Sequence, residues 1–287
     1  MDTNDFFKYR SITACMKASY DTLSSSITSL LKKTWWAVLI YSLFMALTTY
    51  FRIPNKALHD WGETAPMASF ILQSVIYLGT FIADLVCGAA IWGWINKRTL
   101  VNNLSRYCPA FIVFNVLLLA FLLGGGYIAQ SIHTTWAIPL CLLIVLLMMV
   151  VTLPFAHLIP DLLLQEKAKD FHVWKSYKSG LQHLGSIFLT GFLSGIILML
   201  ISLLLMTPTM ILTWAQLSAQ LGALDGDPLG VPGYFTPLLL FVLVITFFIL
   251  IYLSTWMYMT YAYLYGSHKT LEEEKKKRMM AATQMAE

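Results

Sequence analysis

The chain has 287 residues, 58% of them apolar and 12% charged, with a mean hydropathy of +0.68 and a net charge of +4. A soluble domain carries about 25% charged residues, so this chain lacks the polar surface that water would require. Its four cysteines (Cys15, Cys87, Cys108, Cys141) have neither disulfide-framework nor zinc-ligand spacing, no cofactor is expected, and no basic face of the kind that binds nucleic acid is present.

In chain order, residues 1–33 come first and are polar, yet Ile12, Met16, Tyr20, Leu23, Ile27 and Leu30 recur at spacings of three and four. That period predicts an amphipathic helix, with its cap expected within Asp2–Asp5. No removable signal peptide is visible, so Thr34–Phe51 is expected to insert as an uncleaved anchor. Further apolar runs cover Met67–Trp94, Pro109–Gln130, Thr135–Leu164, Leu184–Met206 and Tyr234–Tyr265. A bilayer crossing needs about 20 apolar residues, so the fold class expected is an all-α integral membrane protein of about six transmembrane helices. Thr207–Leu224, which follows with Pro208 near its start, is expected to form a short separate helix at the outer surface, with a broken seventh span as the alternative. The organisation expected is a cytoplasmic helix over 1–33, a transmembrane domain over 34–267 and a charged tail over 268–287.

Orientation follows from the lysines and arginines, which cytoplasmic loops retain. Of the 19 such residues, all but Arg52 and Lys56 fall before the first span, between spans two and three, between four and five, or after the sixth. Both termini are therefore expected in the cytoplasm. Trp35, Trp36, Trp92 and Trp94 at one set of span ends, and Trp61, Trp136 and Trp214 at the other, fit the interfacial preference of indole.

Two more amphipathic segments precede spans. Phe171, Trp174, Tyr177, Leu181 and Leu184 mark one; Ile95, Leu100, Leu104 and Tyr107 mark a weaker one. Leu31, Leu104 and Leu181 then align at intervals of 73 and 77 residues, with Lys33, Arg106 and His183 in the same register. This predicts a unit of amphipathic helix plus transmembrane hairpin, present three times.

The stretch from Leu153-Pro154-Phe155 to Leu163-Leu164-Gln165-Glu166, continued by Phe171 to Gly180, resembles the membrane domain of bacterial glycerophosphodiester phosphodiesterases and its stand-alone relatives. The amphipathic N-terminal segment that runs into Trp35-Trp36 is similar to theirs as well. In that group a proline-containing helix ends in an acidic residue, and a basic segment with a serine-aromatic step leads into the next span. The alanine usual four residues before the serine is His172 here, ahead of Ser176. The catalytic barrel of those enzymes has no counterpart in this chain, so the resemblance implies a bacterial inner-membrane module and transfers no catalytic residue.

Three polar residues stand out inside the spans. Asp84 lies about 15 Å from the inner end of its span, and Asn115 and His157 each lie about 10 Å deep. Thr190, Ser194 and Thr260 share that depth. Ionisable groups inside a membrane are candidate functional sites, so Asp84, Asn115 and His157 make a candidate polar binding layer open to the cytoplasm, although no second carboxylate supports a relay and structural hydrogen bonding has the greater weight. The alternative is plain interhelical hydrogen bonding. Pro139, Pro154 and Pro160 are expected to kink span four, while Gly191 and Gly195 make a close-packing face, within the chain or with a second copy.

The apparent enzyme signatures fail. Glu272, Glu273 and Glu274 precede Lys276, Lys277 and Arg278 by four residues, the spacing of ion pairs on a solvated helical tail. His157 and Asp161 share a helix face without a serine or cysteine nucleophile placed beside them. Asp225-Gly226-Asp227 lacks the closing glutamate of a calcium loop. The expectation is a non-enzymatic module that binds or organises membrane lipids or a partner membrane protein, with a small transporter working through Asp84 and His157 as the alternative.

Overall fold

The computed structural model describes residues 5–53, 63–131, 134–165, 172–224 and 231–286. These form eight helices: α1 (Ile12–Arg52), α2 (Pro66–Ile95), α3 (Leu100–Ser131), α4 (Thr134–Thr152), α5 (Phe155–Leu164), α6 (Val173–Gln182), α7 (Leu184–Leu224) and α8 (Phe235–Ala286). No strand occurs among the described residues. Six helical segments are long and apolar enough to cross a bilayer, α4 and α5 together making one of them. The protein is an all-α, multi-pass membrane protein.

Two expectations about boundaries change. The N-terminal segment and the first span are one helix, α1, 41 residues long, and its cap is Ser11, whose Oγ accepts the Ala14 N–H. Of the predicted cap region, only Asp5 lies within the described residues, and it pairs with Lys8 instead. Thr207–Leu224 is likewise no separate helix but the second half of α7. The helix passes through Pro208, beside which the Thr207 hydroxyl donates to the Leu203 carbonyl. The charged tail is a helical extension, the continuous end of α8, which runs 52 residues without a break. The segment ahead of span five does stand apart as α6, ending at His183. The three amphipathic segments thus enter their spans differently, two continuously and one through a turn. Trp61 and the loop residues Lys56, Lys167, Lys169, Phe171, Asp225 and Asp227 lie outside the described residues.

The chain packs as two compact units, one of Met1–Ile27, Trp92–Ser194 and Trp256–Glu287, the other of Thr28–Ile91 and Gly195–Thr255. In the second unit, Ala46, Ile53, Phe235, Leu239 and Leu243 form an apolar cluster. Threonines bridge its helices: Thr34 with Tyr252 at 3.1 Å, Thr48 with Thr80 at 2.8 Å and Thr209 with Thr246 at 3.0 Å. Such bonds, worth about 0.6–2 kcal/mol each, hold helices together where lipid offers no hydrophobic drive.

The first unit carries most of the lysines and arginines and all of the short helices. Helix α2 ends at Ile95, followed by Lys97 in the left-handed region (φ 58°). Asn96 stabilises that turn, accepting the Arg98 N–H on its Oδ1, while its amide pairs reciprocally with buried Asn103. Pro154 interrupts span four: it can donate no hydrogen bond back into α4, and α5 starts afresh after it. The Val151 carbonyl left at the break accepts the Tyr177 hydroxyl at 3.0 Å. Gly180 of α6 makes room here, since a Cβ on it would lie 3.0 Å from the Pro154 carbonyl oxygen. At the other end of α5, Arg98 and Arg106 both donate to the Gln165 carbonyl, at 2.8 and 3.0 Å. Cations on the last carbonyls suit the negative end of a helix.

Candidate functional site

α5, α6, the start of α7 and the far part of α8 come together within the first unit. Helix α5 presents His157 and Asp161 one turn apart, both buried. Helix α6 turns its small residues inward: Ser176 and Gly180 are buried, with Ser179 beside them. Helix α8 brings Tyr265, His268, Lys269 and Glu272 at spacings of three and four, hence on one face. Together they enclose a cavity of about 190 Å³, lined by His157, Asp161, Ser176, Tyr265, Lys269 and Glu272 among others. That volume admits a small polar group rather than a drug-sized molecule.

Its carboxylates are held in place. Asp161 Oδ1 accepts the Tyr265 hydroxyl and the Gln165 amide. Glu272 Oε1 accepts the Ser179 hydroxyl at 2.7 Å and lies 3.2 Å from His183 Nε2. The i,i+4 pairing expected of Glu272 with Lys276 is therefore superseded: this glutamate turns into the site. Three imidazoles stack beside it, His183 on His268 at 4.1 Å between centroids, with His157 about 6 Å from each. The rings lie face to face instead of converging, and no group of three His, Cys, Asp or Glu among the described residues is disposed to hold a metal ion.

Ser186 and His268 come within 2.9 Å (Oγ to Nε2), the geometry of a nucleophile and its base. The third member such a pair requires is missing: His268 Nδ1 is buried without a partner, and the Ser186 hydroxyl also reaches the His183 carbonyl at 2.9 Å. Stacking on His183 holds this ring, and no group among the described residues bonds its Nδ1.

Outside the sixth apolar span, burial and the two neighbouring imidazoles hold His268 neutral and push its pKa from 6.5 down to about 3. The hydrogen bond from His183, helped by that from Ser179, outweighs partial burial and lowers Glu272 from 4.5 to about 2. For both groups the folded pKa lies below the unfolded one, so stability is present at high pH and is lost as pH falls. His268 governs the window from 6.5 downward, and Glu272 contributes only below about 4.5. The melting temperature of the solubilised protein is expected to drop between pH 6.5 and 5, and His268→Gln should make that slope shallower. An unchanged slope would mean that the ring is not buried as described.

Of the residues expected to form a polar layer, His157 lines this cavity. Asn115 on α3 is half-buried, and its amide donates to the Phe111 carbonyl of its own helix at 2.9 Å. Asp84 on α2 belongs to the other unit, where it is half-buried and hydrogen-bonded by Tyr41 of α1. Thr260 bonds Ser19 of α1 at 2.7 Å, whereas Thr190 and Ser194 donate to carbonyls of their own helix. The residues that sequence reasoning left out of the site are Ser176, His183, Tyr265, His268 and Glu272. The shared face of His157 and Asp161 was the usable signal.

No protein-family model, no curated protein and no solved structure matches this chain. The geometry therefore carries the functional argument.

Proposed function

We propose that the protein is a non-enzymatic module of a bacterial cytoplasmic membrane, with both ends inside, that binds and organises lipid at its inner face. The observation that carries this reading is the orientation of α6. Its small polar residues pack into the unit, while Val173, Trp174 and Leu181 stay exposed, Trp174 by 76%, beside exposed Lys175 and Lys178. An apolar face edged by lysines suits the boundary between headgroups and acyl chains. The bias of lysine and arginine towards the same loops supports the inward orientation, and anionic lipid adds about 1 kcal/mol per nearby lysine. The likeness to the membrane domain of glycerophosphodiester phosphodiesterases supports a module of this kind. A transporter working through Asp84 and His157 is the weaker reading, because Asp84 is already hydrogen-bonded by Tyr41 within its own unit.

A spin label at position 174, in a variant whose four cysteines are replaced, tests this reading in liposomes. Oxygen is expected to relax the label more strongly than a water-soluble nickel chelate, and Lys175→Gln with Lys178→Gln should reduce the difference in vesicles containing anionic lipid. A label reached mainly by nickel would place α6 in water and remove the proposal.

A further inference from the structure

The cavity between α5, α6 and α8 holds more polar capacity than the protein itself uses. Two of its lining residues, each only 5% exposed, carry a buried side-chain atom without a partner: the Ser176 hydroxyl, and His157 Nδ1, which accepts because the ring's other nitrogen bonds the Ser176 backbone. Leaving a buried polar group without a partner costs about 1–3 kcal/mol, so two on residues that line one cavity point to a bound group that pairs with them. Neither hydroxyl nor imidazole specifies the ligand's charge, but the rest of the lining does. Lys175, Lys269 and Lys276 stand against Asp161, Glu272 and Glu273, three cations and three anions. Protein donors already fix one oxygen each of Asp161 and Glu272, so both carboxylates are oriented before any ligand arrives.

A bare phosphate would satisfy the donors and face the carboxylates at a loss; a simple amine would do the reverse. A group carrying both charges close together meets both halves of the lining. We propose that this cavity binds a zwitterionic phosphoethanolamine group, its phosphate on Ser176 and the lysines and its primary ammonium on the carboxylates and His157 Nδ1, presented by a lipid whose acyl chains lie along the exposed face of α6. Only the last clause rests on the reading of α6 as an interfacial helix. The headgroup chemistry stands on the cavity alone.

The test uses the full-length protein in detergent micelles and in nanodiscs of phosphatidylcholine, with thermal unfolding followed as short-chain phosphatidylethanolamine is added. Phosphatidylethanolamine is expected to raise the melting temperature by several degrees, through preferential binding to the folded state. Phosphatidylcholine, whose quaternary nitrogen has no N–H to donate, and phosphatidylglycerol, which has no ammonium, should each give a much smaller shift. Ser176→Ala removes a hydroxyl that bonds nothing within the protein, so it should fold, yet its apparent affinity should be about tenfold weaker, the loss of one hydrogen bond to a charged group. Equal shifts with all three headgroups, or an unaltered affinity in Ser176→Ala, would overturn the proposal. A shift from soluble O-phosphoethanolamine as large as from the lipid would uphold the site and overturn the lipid as its source. If the label at position 174 reports water while the ethanolamine-selective shift persists, the interfacial reading of α6 fails and the headgroup site survives it.

Discussion

Gly266→Ala is expected to lift the N-terminal segment off α8. A Cβ at this position would lie 2.1 Å from the Phe6 carbonyl oxygen and 2.5 Å from its carbon, backbone atoms that cannot rotate away as a side chain could. What would be lost is specific. The Ser267 hydroxyl accepts the Arg10 N–H and donates to the Arg10 carbonyl, both at 2.9 Å. Phe6 is fully buried against the Tyr263 ring, and the Arg10 guanidinium lies 5.0 Å from that ring's centroid. Burying a phenylalanine contributes about 2 kcal/mol and each hydrogen bond about 1 kcal/mol, so about 4 kcal/mol of local stability is at stake. Local opening exposes a segment to solvent and protease without melting the whole. Trypsin should therefore cut at Lys8 and Arg10 far faster in the variant, and amide exchange over residues 5–10 should accelerate. Amides as slow as in the parent protein would show that helix and strand of chain do not approach so closely.

Asp161→Leu should be the most damaging single change inside the site. It removes the acceptor for the Tyr265 hydroxyl and the Gln165 amide at a residue only 8% exposed. Two bonds to a charged acceptor at about 1.5–3 kcal/mol each make a loss of about 3 kcal/mol or more. Asp161→Asn keeps one oxygen acceptor and should cost much less. Adding Tyr265→Phe to Asp161→Leu should recover part of the loss, because no hydroxyl is then stranded; neighbours that share one bond do not add. Thermal unfolding of the three variants decides it. Equal losses for Asn and Leu would mean that the carboxylate is not what Tyr265 and Gln165 bond to.

The bilayer-crossing segments were legible because their signal is local: a run of apolar residues needs no knowledge of what it packs against. His157 was legible for the same reason, as an ionisable group among apolar neighbours. Its partners were not. Glu272 and His268 sit where a charge-rich sequence reads as a solvated tail, and only the unbroken continuation of α8 carries them back to α6. Ser176 and Ser179 look like the polar side of an amphipathic segment, and that period alone does not say which side faces protein. Here the small polar side packs inward and the apolar side remains exposed, the reverse of a soluble helix. Helix joins failed in the opposite sense: Thr34 and Pro208 mark changes in composition, and α1 and α7 pass through both without a break. Asp84 and Asn115 were singled out by depth, which does not reveal the direction in which a side chain points.

The break between α4 and α5 ties two distant positions together. Pro154 denies the preceding turn a donor, in a stretch where lipid cannot supply one, and the Tyr177 hydroxyl reaches across from α6 to the Val151 carbonyl. A chain with an ordinary residue at 154 would itself supply a donor to the Val150 carbonyl, and once the turn re-formed, with the Phe155 N–H reaching Val151, that hydroxyl would have no use. A chain that lost the tyrosine but kept the proline would leave the Val151 carbonyl without that donor. Among descendants of this sequence, residues 154 and 177 are expected to change as a couple or to stay fixed, although 23 positions separate them.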